Sequence, residues 1–121
     1  MEKILKDALS DLFDGRVYPD YAELKTKTPY CVYRQVGGQA LGFIDGKRGD
    51  KRRVKVEIIV ASQSRALTSE YAHKVEGIML SSPIYAEADT GIDATWDWQT
   101  GLRASSQDFS FWYDISDEIG E

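Results

Sequence analysis

Cysteine and histidine are nearly missing from this 121-residue chain, which has one of each, Cys31 and His73. A lone thiol cannot close an internal disulfide, and one thiol plus one imidazole cannot make a zinc cluster. A Ser-His-Asp or Cys-His arrangement would have to recruit His73, near which no motif places a nucleophile. Asp45-Gly46 and Asp89–Asp93 lack the ordered oxygen ligands and closing glutamate of a calcium loop. GKRGDKR (residues 46–52) leads into a strand pattern where a phosphate loop needs a helix. Twenty acidic residues leave a carboxylate pair open, but no motif gathers one. The expectation is a non-enzyme without cofactor or metal. No apolar run approaches the roughly 20 residues of a membrane helix, so spanning is excluded. The opening MEKILKDALSDLF mixes acids among its apolar residues and has no cleavage pattern of small residues, so it is not a secretory signal and cytosolic synthesis is expected. Internal repeats and low-complexity tracts are absent as well.

What remains is the composition of one folded domain: 42% hydrophobic, 29% charged and 12% aromatic residues. The stretch Lys51–Ala61 organises it. Val54, Val56, Ile58 and Val60 alternate with Lys51, Arg53, Lys55 and Glu57, the pattern of a long strand with one buried face. Tyr30–Val36 is a second β-rich run, and the two form a hairpin. Before them, Ile4, Leu5, Ala8, Leu9 and Leu12 share one helical face, ending at Asp14-Gly15, and Arg16–Tyr18 starts extended and stops at Pro19. Residues 20–28 are polar and aperiodic, a connection. After the hairpin, Ser62 to Ser64 offers capping hydroxyls to a helix over 65–81, with Leu67, Tyr71, Val75, Ile78 and Met79 at helical spacing and His73 opposite them. Gly77 weakens that helix by about 1 kcal/mol relative to alanine, a cost that a close neighbour would explain. The last third reads as strands over 84–88, 94–98 and 102–115. This predicts an α+β single domain: a mostly antiparallel twisted sheet with two helices on it, in the order α-β-β-β-α-β-β with one further short strand, and residues 116–121 fraying at the end.

Three features point outward. Residues 37–50 form a glycine-rich loop between the two central strands, far longer than a turn requires, in which Leu41, Phe43 and Ile44 are apolar and Lys47 and Arg48, with Lys51, Arg52 and Arg53 beyond it, are clustered cations. Such a flexible arm either orders on a partner or folds onto its own sheet. Trp112 falls out of phase with Phe109, Phe111 and Tyr113, leaving its ring spare for an interface, while core packing is the default for most of the other rings. Finally, residues 1–83 carry a net +3 and residues 84–121 a net −8. If the fold keeps these halves apart, the resulting surfaces favour head-to-tail contact between copies.

The order of motifs resembles the small tail completion, or tail terminator, proteins of long-tailed bacteriophages and prophages. The carriers are Val17-Tyr18-Pro19, Pro29–Tyr33, Arg53–Ile58, the helix with Ala66, Ala72 and Val75, and Asp108–Phe111, over nearly the whole chain. The resemblance implies a subunit that assembles with itself, typically as a ring of six, on the last disc of the tail tube, halting tube growth and facing the head connector. Its expected location is the host cytoplasm during assembly and then the virion, with DNA at most passing through the channel. The competing reading is a cytosolic binding module whose basic segment Lys47–Arg53 contacts nucleic acid or another anionic partner; the net charge of −5 and Asp45 and Asp50 oppose it.

Overall fold

A computed structural model describes residues 1–23, 25–40, 51–97 and 100–114. Helix α1 (Glu2–Phe13) opens the chain, and its predicted stop is where the structure puts it: Asp14 and Gly15 both take positive φ, 53° and 80°, and the Gly15 amide donates back to the Ser10 carbonyl at 2.8 Å. Strand β1 (Val17–Pro19) follows and lies parallel to β2 (Tyr30–Ala40). Arg16 fixes this junction, its Nε donating to the Pro29 carbonyl at 2.9 Å while its own carbonyl accepts from the Cys31 amide at 2.9 Å.

Strand β3 (Lys51–Ser62) pairs antiparallel with β2 on one side and along its whole length with β6 (Leu102–Asp114) on the other. Two short strands, β4 (Glu87–Ala88) and β5 (Asp93–Asp97), share the far edge of β6, giving the order β1-β2-β3-β6 and then β4 and β5. The fold is thus a single α+β domain with a mostly antiparallel sheet, in the element order read from the sequence. Because β6 lies directly against β3, the acidic and basic parts of the chain are interleaved, and the condition for two separate charged surfaces is not met.

Helix α2 (Arg65–Leu80) lies with α1 on one face of the sheet. Its start is set by Ser64, whose hydroxyl accepts from the Leu67 amide at 3.1 Å. Between sheet and helices sits the core: Leu5, Leu9 and Phe13 of α1, Val75 and Met79 of α2, and Cys31, Tyr33, Val54, Val56, Ile58, Val60, Phe109 and Phe111 of the strands. The Phe13 and Tyr71 rings, 5.4 Å apart, join the two helices. The buried face of α2 is Thr68, Ala72, Val75 and Met79, rotated from the larger residues expected; Leu67, Tyr71 and Ile78 are only half-buried. The reason lies below it, where β6 presents the buried polar residues Ser105 and Gln107. Thr68 Oγ1 donates to the Arg103 carbonyl at 3.0 Å, and Gln107 Nε2 donates to Glu76 at 2.7 Å and to the Thr90 carbonyl at 3.0 Å.

Two boundaries depart from the sequence reading. Strand pairing continues through Gly37, Gly38, Gln39 and Ala40, opposite Lys55 to Arg52, after a register shift at Val36, so the first four residues of the loop assigned to 37–50 are strand; residues 41–50 lie outside the described residues, as do 116–121. The strand expected over 84–88 is only Glu87–Ala88. The Ile84, Tyr85 and Ala86 amides instead satisfy the carbonyls of Ser81 and Met79 at the end of α2, a turn that inserts Ile84 and Ala86 into the core and leaves Tyr85 exposed.

Candidate assembly surface

Side-chain alternation on a sheet that carries helices on one face forces the remaining residues onto the other, which no described helix covers. On β3 and β6 the cross-strand pairs of this bare face are Arg53 with Trp112, Lys55 with Ser110, Glu57 with Asp108 and Ile59 with Ser106. It is a patterned surface. Arg34 on β2 donates to Glu57 on β3 at 2.6 Å in its middle, and Arg53 reaches across β6 to Glu87 on β4 at 3.5 Å. Beside that pair Ser110 donates to the Asp89 carboxylate, and the Asp89 amide donates to the Asp108 carbonyl at 2.8 Å, which ties β4 to β6. At the end of the sheet nearest residues 41–50 stands the Trp112 indole, 49% exposed, opposite Arg53; Val36 at the β2 bulge is also exposed.

Of the residues singled out from sequence, the structure brings Arg53 and Trp112 together on this face. Arg52 goes to the other one: opposite Tyr113 and two residues before buried Val54, it belongs to the helix-bearing side, so strand alternation divides the cation cluster. Lys51 is paired with Asp114 where β3 begins. Leu41, Phe43, Ile44, Lys47 and Arg48 lie outside the described residues. Sequence reasoning missed Glu87, whose place beside Arg53 depends on β4 pairing with β6, a contact no local pattern announces. It also missed Trp96, assigned to the core by default yet 55% exposed, with the Arg103 guanidinium 5.2 Å from its ring centre.

Cys31, Tyr33 and His73 all lie off this surface. Cys31 is fully buried on the helix-bearing face, and burial pushes its thiol far above the usual range, away from the reactive thiolate. The Tyr33 hydroxyl donates to Glu2 at 3.1 Å, and burial, reinforced by the Glu2 carboxylate, raises its pKa as well. His73 is exposed, its Nδ1 against the Ser69 carbonyl at 2.8 Å. Among the described residues no helix is long and apolar enough to cross a membrane.

The family model described as tail completion protein gp17 matches residues 4–114, which spans every described element but the first turn of α1. The chain belongs to this family. It is accordingly a structural protein of a phage tail, a tail completion protein that works through contacts with other tail or head components. No curated protein matches the chain significantly.

Proposed function

We propose that this tail completion protein forms a ring, six-membered in the assembled tail, that caps the tail tube, stops its growth and joins it to the head connector. One observation carries the choice of surface: the bare sheet face ends in an exposed indole, Trp112, seated beside the Arg53–Glu87 pair. A large ring with charged neighbours fixed in place is the composition that protein interfaces favour, and it costs little side-chain entropy to dock. The sequence of the adjoining arm adds Leu41, Phe43 and Ile44 as apolar anchors and Lys47 and Arg48 as cations for the tube protein. Assembly takes place in the host cytoplasm, and the subunit then stays at the junction of tail and head. DNA crosses the ring without being bound, and no catalysis is involved. The alternative reading, a basic segment gripping an anionic partner, has less support: Arg53 is engaged by Glu87, and Arg52 belongs to the opposite face.

The test is complementation of a phage lacking this gene, with tails scored by electron microscopy. Trp112→Ala, and separately Leu41, Phe43 and Ile44 all to Ser, are expected to give soluble, folded protein and tails that stay uncapped, with plating reduced by about tenfold or more. Normal capping by both variants would remove this surface from consideration. Unfolding of the triple variant would place the arm in the monomer's own core.

A further inference from the structure

At the opposite end of the sheet, on the helix-bearing side, the start of α2 and the β5–β6 pair enclose an open groove of about 500 Å³. Arg65, His73, Trp96 and Arg103 line it together with Ile92 and small or hydroxylated residues, and among the described residues no carboxylate lines it. Neither Arg65 nor Arg103 has an acidic partner among the described residues; Arg103 instead lies over the exposed Trp96 ring. An unneutralised pair of guanidiniums beside a bare indole fits an acidic segment with an apolar residue in it.

The chain itself carries such a segment after β6: Ile115-Ser116-Asp117-Glu118-Ile119-Gly120-Glu121. It cannot reach the groove of its own subunit. Arg103 and Asp114 stand at opposite ends of β6, and eleven residues at about 3.3 Å each separate them by roughly 36 Å. Even Glu121, seven residues past Asp114, reaches at most about 25 Å from it when fully extended. We infer that residues 115–121 of one subunit dock in the Arg65–Trp96–Arg103 groove of the next copy, a head-to-tail contact that leaves the bare sheet face free for the tube. The groove and the segment lie at opposite ends of the same strand, so one subunit's segment occupies its neighbour's groove while its own groove stays open. A contact of this kind propagates around a closed ring. This rests on the self-assembling reading above and supplies the joint between copies.

The experiment uses two full-length chains, one Ser69→Cys and one Glu118→Cys, mixed under mild oxidation; Cys31 is buried and does not compete. A disulfide-linked dimer containing one chain of each kind is expected. Arg65→Glu with Arg103→Glu in the Ser69→Cys chain is expected to cut its yield by about tenfold or more, and adding Asp117→Lys and Glu121→Lys to the Glu118→Cys chain should restore it. Circular dichroism checks that each variant is folded. If the groove variant unfolds, the segment variant alone, whose changes lie beyond the core strands, must show the same loss. Absence of the mixed dimer, a yield indifferent to these charges, or a disulfide inside one chain carrying both cysteines would overturn the inference. Tube capping that fails in Trp112→Ala while the mixed dimer forms, or the reverse, tells which of the two readings is at fault.

Discussion

The two faces of the sheet are made from alternating residues of the same three strands, yet they are held by different forces. On the helix-bearing face the side chains of Val54, Val56, Phe109 and Phe111 are removed from water, and stability there scales with apolar area. On the bare face the same strands carry Arg34–Glu57 and Arg53–Glu87, charge pairs at the surface that fix side-chain positions and add little to the free energy of folding. The core face therefore specifies the fold, and it is the bare face that the proposed function gives to a partner. The contrast predicts that substitutions on the first face unfold the protein and those on the second spare the fold and damage assembly.

The largest effect should come from Phe109→Ala. Phe109 is fully buried opposite Val56, and deleting its ring leaves a cavity that neighbouring strand residues cannot fill, costing about 3–5 kcal/mol. Chemical denaturation at neutral pH measures it. A loss under about 1 kcal/mol would mean the core face is plastic and the division between the faces is false.

Alkali offers a second way to attack the same face. Cys31 and Tyr33 both hold their protons more tightly in the folded chain than at their ordinary values of 9.0 and 10.0, so the unfolded chain ionises first. Their contribution is fully present below those values and is lost as pH rises above them toward the folded-state values. The urea midpoint should therefore fall from about pH 9 and more steeply above about pH 10. Tyr33→Phe is expected to remove the later part of that fall and Cys31→Val the earlier part. A midpoint that is flat up to pH 11 in the parent chain would refute the assignment.

Much of this division was legible in the sequence, because helical and strand periodicities report burial directly. The limits Glu2–Phe13, the Ser64 cap and the alternation of Val54 to Val60 are local facts of spacing and capping chemistry. Trp112 was found the same way, by being out of phase. What stayed hidden depends on pairing at a distance. Gly37–Ala40 reads as loop because glycine is a poor strand former, but its neighbour β3 is long enough to hold it in register. Tyr85 and its neighbours read as strand because nothing local says that the last carbonyls of α2 need their amides. Trp96 reads as core since aromatic residues on strands usually are, but β5 lies at the edge of the sheet, where the groove between it and α2 stays open and leaves the ring exposed.

Gly77 sharpens the comparison on the helix layer. It is exposed inside α2, and a Cβ built there meets no atom within 4 Å, so the subunit by itself gives no reason for glycine. Gly77→Ala is expected to raise stability by about 0.5–1 kcal/mol, by restricting the unfolded chain and improving helix propensity. Thermal melting reads the gain, and complementation reads its consequence. A stabilised variant that still caps tails leaves Gly77 with no role in contact. One that is stabilised but fails to cap places another subunit against the outer surface of α2.

The smallest effect should belong to the pair in the middle of the bare face. Arg34 donates to Glu57 at 2.6 Å, but the arginine side chain is 51% exposed and the carboxylate 19%, so water competes for both. A double-mutant cycle with Arg34→Met and Glu57→Gln is expected to give a coupling of only about 0.2–1 kcal/mol, falling as salt is raised. The geometry admits another outcome with a different meaning. Glu57 is the more enclosed partner, packed between β2 and β6, and losing Arg34 alone would leave it among Asp108 and the strand backbone. If Arg34→Met costs well over 1 kcal/mol while the double variant recovers it, the bare face carries a desolvated charge that the fold must keep paired. In that case the two faces differ in degree, and the surface available to a partner shrinks to the end of the sheet around Trp112.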